Sequence, residues 1–178
     1  GVGPGDAPLV IDIDSTICEV HGYQKQGAGF GYTRQRGLHP IVAVRADTGE
    51  ILHIRFRKGS ANTARGAERF VRETIARVRR AGASGQITLR ADSGFWSNKI
   101  VTACRDHDVR YSITVRRQAP IVTAIAAIPE EAWANIAYTK SGDAQVAETP
   151  YNGHRLVVRR TRIRGDQPAL FDEHHRAH

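Results

Sequence analysis

The chain has 178 residues, enough for one domain with a sizeable core and a small appendage. Its 26 Lys and Arg outnumber its 18 Asp and Glu, which gives a formal charge of +8. Nucleic acid is the commonest partner of so basic a chain, although a solvated basic surface has the same composition. Charge alone therefore indicates a polyanionic partner without establishing one.

The cysteine and hydropathy patterns exclude several classes of protein. Cys18 and Cys104 have no CxxC spacing, which argues against a disulfide framework and against a structural zinc site. No apolar run approaches the roughly 20 residues that span a bilayer, and residues 1–8 lack the charged-then-apolar pattern of a signal peptide. We therefore expect a soluble protein of the reducing cytoplasm.

The first part of the chain predicts three strands. Leu9 to Ile13 is a short run rich in β-branched residues, typical of a buried strand. The glycine-rich stretch from Gly22 to Gly37 predicts a loop. Ile41 to Arg45 and Ile51 to Arg57 flank the turn sequence Asp47-Thr48-Gly49, which predicts a hairpin.

The second hairpin strand alternates apolar with basic residues, which predicts one packed and one basic face. The apolar set is Leu52, Ile54 and Phe56, and the basic set is His53, Arg55 and Arg57. Aromatic residues of the glycine-rich loop, Tyr23, Phe30 and Tyr32, suit either stacking on unpaired bases or packing over the sheet edge. The candidate nucleic-acid contacts are Lys25, Arg34, Arg36, Arg55, Arg57 and Lys58.

The following segment predicts helices alternating with strands. A helix capped by Asn62 or Thr63 and ended by Gly82 has apolar residues at helical spacing. A strand, a helix and a strand follow at Gln86–Ala91, Ser97–His107 and Val109–Val115. A meander followed by right-handed crossovers gives the strand order 3-2-1-4-5, in which strands one and four are parallel neighbours.

Two aspartates end these neighbouring strands. Asp14 follows the first apolar run and Asp92 follows the fourth, so both lie at the crevice where the topology switches direction. Facing carboxylates repel each other unless a divalent cation lies between them, and oxygen ligands suit Mg²⁺ or Mn²⁺. The alternative is that each Asp only caps the turn that follows it.

Several motifs resemble the catalytic core of bacterial insertion-sequence transposases of the DDE class, which have an RNase H-like fold. They are IDIDST, GYQKQGAGFGY, GLHPIVAV, RKGSAN and LRADSGF, and the resemblance extends from Leu9 to about Gln167. It implies an enzyme whose carboxylates hold two Mg²⁺ ions. Such an enzyme cleaves DNA at transposon ends and joins the freed 3′ hydroxyls to a target. By motif position Asp14 is the first acid and Asp92 the second, with Asp12 as the rival for the first role.

In that family the third acid comes from a helix that follows a β-rich insertion. The runs Trp133–Thr139, Ala144–Tyr151 and Arg155–Ile163 resemble the insertion, while Glu173 lies in a polar terminus that we expect to be disordered. We therefore expect a chain truncated before the third acid and lacking an N-terminal DNA-binding portion. The expected divisions are a core at 1–118, a helical connector with the β-rich insertion at 119–171, and a tail at 172–178.

These observations favour a fragment of an α/β, RNase H-like transposase core with a small β-rich extension. We expect it to act with Mg²⁺ or Mn²⁺ on double-stranded DNA, namely transposon ends and target, at the bacterial nucleoid. The resemblance leaves open a homodimer of the full-length protein. The alternatives are a non-catalytic DNA-binding remnant of a transposase and a metal-dependent nuclease.

Overall fold

The computed structural model of the protein describes residues 4–22, 24–31, 34–139, 142–162 and 175–177. The chain forms two compact units, Gly1–Val115 and Arg116–His178. The elements of the first unit are β1 (Leu9–Ser15), β2 (Cys18–Glu19), β3 (Gly29–Phe30), β4 (Arg36–Leu38), β5 (Ile41–Arg45), β6 (Ile51–Arg55), α1 (Ala67–Arg80), β7 (Ile87–Ala91), α2 (Asn98–Asp106) and β8 (Val109–Ile113). Those of the second are α3 (Ala119–Ala126), β9 (Ala134–Thr139), β10 (Gly142–Tyr151), β11 (His154–Arg162) and β12 (His175–Ala177).

The central sheet of the first unit has the order β6-β5-β1-β7-β8. β5 and β6 run antiparallel as a hairpin, whereas β1, β7 and β8 are parallel. The predicted strands one to five correspond to β1, β5, β6, β7 and β8, so this is the predicted order 3-2-1-4-5. The predicted fold class, an RNase H-like mixed sheet, is confirmed. The crossovers through α1 and α2 explain the parallel pairing of β1, β7 and β8, because parallel neighbours need a long connection.

Both helices cover the same face of this sheet. Apolar residues of α1 recur at helical spacing, so one side of the helix can bury them against the strands. The shared core takes alternate residues from each strand, as in Leu9, Ile11 and Ile13 of β1 beside Ile87 and Leu89 of β7. Residues at the intervening positions of β1 and β7 point to the opposite face.

The prediction for β6 agrees with Leu52, which packs against the core, but was wrong about the packed face in the rest of the strand. His53 is only 8% exposed, whereas Ile54 is 43% and Phe56 is 58% exposed. His53 lies against α1, where its ring stacks on Phe70 with centroids 4.3 Å apart. Arg55 pairs with Glu73 of the same helix. The polar side chains of the strand turn inward because α1 supplies partners for them.

The glycine-rich segment is more ordered than predicted. β3 lies within it and β4 at its end, and together with β2 they form a three-stranded sheet in the order β2-β4-β3. Gly59, which follows β6, packs closely against this segment, since a Cβ added at Gly59 would lie 2.1 Å from the Gly37 oxygen and 2.3 Å from the Gly29 oxygen. Of the loop aromatics, Phe30 is 65% exposed, and Tyr23 and Tyr32 lie outside the described residues.

The start of α1 also differs from the prediction. The helix begins after Gly66, which has a φ of 72° and provides no side-chain cap. Asn62 instead closes the preceding turn, where its Oδ1 accepts a hydrogen bond from the Arg65 backbone at 2.8 Å. The predicted caps therefore belong to a turn that precedes the helix.

The second unit contains the three strands predicted for the β-rich insertion. β10 pairs with both β9 and β11, and Asn152 and Gly153 make the last turn with φ angles of 48° and 73°. These angles suit the predicted Asn-Gly turn. Most of the tail at 172–178, including Glu173, lies outside the described residues, and within it β12 pairs with the end of β11. Among the described helices, none has the length and apolarity to cross a membrane.

Candidate metal centre

The register of β1 and β7 brings Asp14 and Asp92 together. Ile13 and Ala91 are paired, and each aspartate is the next residue along its strand. Neighbouring strands lie about 4.8 Å apart, so the two aspartates occupy adjacent positions at the carboxyl edge of the sheet. Because side chains alternate between faces, both point away from the face that α1 and α2 cover.

Each of these carboxylates has one oxygen in a hydrogen bond to nearby backbone. The Asp14 Oδ1 accepts a hydrogen bond from the Ser15 backbone N–H at 2.7 Å, and the Asp92 Oδ1 accepts one from Gly94 at 2.9 Å. The capping role considered from the sequence is therefore present at Asp92, which caps the short 3₁₀ helix Ser93–Phe95, whereas the Asp14 hydrogen bond lies within β1. Within the described part of the chain, the Oδ2 atoms of both residues have no hydrogen-bond partner. Both side chains are exposed, so these oxygens can bind an external cation.

Asp12 is paired with an arginine. The Arg90 Nε donates to the Asp12 Oδ1 and the Arg90 Nη2 to the Oδ2, both at 2.6 Å. The hydrogen bond to Asp12 raises the pKa of the Arg90 guanidinium, so the arginine remains charged. Both Asp12 oxygens are thus engaged, and Asp14 is the better candidate for the first acid.

The donor set suits a hard divalent cation. Two carboxylates at the end of parallel strands supply oxygen ligands, which Mg²⁺ and Mn²⁺ prefer. Mg²⁺ retains several water ligands and is often held by only one or two carboxylates. Among the described residues, there is no group of three or more His, Cys, Asp or Glu side chains able to hold a metal. The described centre is therefore a two-carboxylate site.

Arg57 holds the loop at residues 62–65, which lies beside this centre. Its Nη1 donates to the backbone oxygens of Asn62, Thr63 and Arg65 at 2.9, 3.0 and 2.9 Å. Its Nε donates to the His39 oxygen at 2.8 Å. Burial lowers the pKa of Arg57, but an arginine stays charged at any physiological pH. This side chain organises the backbone of the loop.

The loop reaches the residues next to both aspartates. The Thr63 Oγ1 lies 3.4 Å from the Ser15 Oγ. A Cβ added at Gly94 would lie 3.0 Å from the Thr63 Cγ2 and 3.1 Å from the Asp92 Oδ1, so only glycine fits there without displacement. Arg57 therefore acts indirectly on the centre, because it holds the loop whose Thr63 contacts the neighbours of both aspartates.

The six predicted nucleic-acid contacts fall into two groups. Lys25, Arg34 and Lys58 are exposed. Three others have partners within the chain: Arg36 donates to the Gly22 oxygen, Arg55 pairs with Glu73, and Arg57 holds the loop. The first group suits contact with a large ligand better than the second.

Sequence reasoning missed the roles of Arg57 and Arg90. For Arg90 a signal was present, because it lies two residues before Asp92 as Asp12 lies two before Asp14. The predicted parallel pairing of these strands would have placed Arg90 and Asp12 side by side. For Arg57 no local signal exists, since its partners include His39 and the loop residues.

Comparison with known proteins identifies the family. No curated protein matches this chain by sequence. Among solved structures, it is similar to a piggyBac transposase in a cryo-EM structure of a synaptic complex with hairpin DNA, at 10% identity and a TM-score of 0.48. The match covers 83% of this chain and 32% of that protein, so the chain spans about a third of its length. A family profile described as "Transposase DDE domain group 1" matches residues 5–164, and the chain therefore belongs to this family of DDE transposase domains.

Proposed function

We propose that this chain supplies the catalytic core of a DNA transposase that cleaves transposon ends and transfers the strands with Mg²⁺ or Mn²⁺. The observation that carries the proposal is the adjacent placement of Asp14 and Asp92, each with one carboxylate oxygen unpartnered within the described residues. Membership of the DDE family supports the reaction class. We propose bacterial nucleoid DNA as the substrate and leave a homodimer of the full-length protein as a prediction.

The two aspartates would hold and orient the cation. A bound divalent ion supplies an activated water or hydroxyl and stabilises the leaving oxygen of a phosphodiester. The backbone N–H groups of Ser15 and Gly94 restrain one oxygen of each carboxylate, which limits the rotation of both side chains. Such restraint lowers the reorganisation needed when the ion binds.

The exposed cations would bind the phosphate backbone. Lys25 and Arg34 lie around the small sheet, and Lys58 follows β6. Contacts of this kind depend on salt and are largely independent of sequence. They would therefore contribute affinity for double-stranded DNA, both transposon ends and target, without selecting a particular end.

Calorimetric titration with Mn²⁺ tests the metal site. Asp14→Asn and Asp92→Asn should each weaken binding by about tenfold or more, because each removes one of two charged ligands. Glu50→Gln is the control, since this exposed carboxylate lies in the hairpin connection at the opposite end of the sheet and should change affinity less than about twofold. Unchanged Mn²⁺ binding in both Asp variants would refute the proposal.

A non-catalytic DNA-binding remnant is the second candidate. The absence of a group of three metal-binding side chains among the described residues favours it. It predicts that the 178-residue chain binds DNA yet shows little or no nicking or strand transfer with Mn²⁺. Robust metal-dependent nicking that Asp92→Asn abolishes would exclude the remnant, and Glu173→Gln would then test the terminus as the source of a third acid.

A salt titration of DNA binding tests the assignment of the cations. Lys58→Gln should lower the slope of log affinity against log salt by about 0.9, the value for one lost phosphate contact. Arg69→Gln on α1 is the matched control, because Arg69 is 79% exposed but pairs with Glu73. Equal effects of the two variants would indicate a general charge effect.

A further inference from the structure

An acid–arginine pair lies directly beneath the candidate metal ligands. Asp12 and Arg90 are register partners on β1 and β7, one side-chain step before Asp14 and Asp92 on the same face. The strand rise of about 3.3 Å per residue separates Asp12 from Asp14 by about 7 Å along β1. The four charged side chains thus form two rows. Asp12 and Arg90 make the inner row, and Asp14 and Asp92 lie at the edge of the sheet.

Without its arginine, Asp12 would be a third carboxylate close to the ion. Asp12 and Asp14 share a strand face about 7 Å apart, close enough for both carboxylates to reach one ion at metal–oxygen distances of about 2 Å. The bidentate contact with Arg90 engages both Asp12 oxygens and balances the charge. The contact therefore leaves Asp14 as the ligand that β1 presents.

A purely structural role explains this pair poorly. The side chains of Arg90 and Asp12 are 53% and 35% exposed, so screening by solvent limits the contribution of even this bidentate pair to folding stability. β1 and β7 are already joined by a ladder of paired residues from Leu9 to Ile13. What sets this ion pair apart from other surface pairs is its location next to Asp14 and Asp92, which indicates a role at the metal site.

We propose that Arg90 is a positioning residue that keeps Asp12 out of the metal coordination shell and so selects Asp14 as the ligand from β1. The inference rests on the proposed metal site. Arginine suits the task because its planar fork can engage both oxygens of a carboxylate at once. Lysine would leave one Asp12 oxygen available to the ion.

The test measures Mn²⁺ affinity by calorimetry in the whole chain. Arg90→Gln should bind Mn²⁺ about fivefold more tightly or better, because the released Asp12 adds a third carboxylate. The double variant Arg90→Gln with Asp12→Asn should lose that gain. Arg90→Lys should give an intermediate gain, and each variant's metal-free unfolding curve shows whether it is folded.

Arg110→Gln is the matched control for charge. Arg110 is exposed on β8, pairs in register with Thr88, and therefore lies on the same sheet face as Arg90. Its loss should change Mn²⁺ affinity less than about twofold, since it pairs with no carboxylate in the described part of the chain. Equal gains in the two single variants, a gain that persists after Asp12→Asn, or no gain at all would overturn the inference. Failure of wild type to bind Mn²⁺ through Asp14 and Asp92 would instead refute the metal site itself.

Discussion

The two faces of the central sheet have opposite chemistry although the same strands build them. On β1, Ile11 and Ile13 belong to the core beneath α1 and α2, whereas Asp12 and Asp14 point to the other face. One alternating run therefore supplies both the packing that fixes the strand and the acids of the candidate site. A strand anchored by core residues on both sides of Asp12 and directly before Asp14 suits a site whose ligands must be held in place.

The hairpin strand β6 shows the reverse arrangement. Its polar residues His53 and Arg55 face α1, while Ile54 on the same strand is 43% exposed. The helix supplies Thr74 as a hydrogen-bond partner for His53 and Glu73 as a counter-ion for Arg55. The comparison teaches that partners on the opposing element, and not polarity alone, decide which face is buried.

Two phenylalanines provide the strongest test of this difference. Phe70 of α1 is fully buried, whereas Phe56, just after β6, is 58% exposed. Phe70→Ala should lower the free energy of unfolding by about 3–5 kcal/mol, because it leaves a cavity under His53. Phe56→Ala should change it by less than about 0.5 kcal/mol. Urea unfolding of the two variants measures both values.

Similar costs for the two substitutions would contradict the comparison. They would mean that Phe56 is covered in solution and that the apolar positions of β6 form a second packed face. The alternation of Leu52, Ile54 and Phe56 with polar residues would then mark a buried apolar face, as predicted from the sequence.

The sequence predicted the elements of the central sheet and their order because those signals are local. Runs such as Ile41–Arg45 and Ile87–Ala91 carry strand composition, and the turn sequences between elements mark their ends. The handedness rule for crossovers then limits the strand order to very few choices. The adjacency of Asp14 and Asp92 followed from that order, not from either residue alone.

The parts that sequence reasoning missed depend on distant partners. Arg90 and Asp12 are 78 residues apart in the chain, and Arg57 reaches back 18 residues to His39. The glycines near Gly37 looked like a flexible loop because the close approach of Gly59 becomes visible only in the fold. Alternation in β6 defined two faces but contained no information about the partners on α1.

The role of Arg57 gives the second prediction. Arg57→Gln should lower the free energy of unfolding by about 2–3 kcal/mol, because it leaves backbone oxygens of the loop without donors. Arg65→Gln is the control from the same loop, since its exposed side chain should contribute less than about 0.5 kcal/mol. Thermal unfolding monitored by circular dichroism compares the two variants. Equal stability of the two proteins would show that Arg57 is available to bind DNA, as predicted from the sequence.

The smallest expected effect concerns the protonation of His53. The Thr74 hydroxyl donates to the Phe70 oxygen at 2.8 Å, so it accepts from His53 Nδ1, 3.0 Å away, which fixes the neutral tautomer. Burial, followed by the positive charges of Arg77 and Arg55, lowers the pKa of His53 below its usual 6.5. The folded protein therefore resists a proton that the unfolded chain accepts.

The sign of the pH dependence follows from this shift. Above pH 6.5 His53 is mostly neutral in both states and contributes no pH dependence. As the pH falls from 6.5 toward the folded-state pKa, the unfolded chain gains a proton that the folded protein does not, and the free energy of unfolding decreases. Urea unfolding between pH 5 and 8 should show this decrease in wild type, and His53→Gln should remove it from the profile. A decrease of equal size in His53→Gln would assign the titration to other groups and leave the inward face of β6 without a pH-sensitive residue.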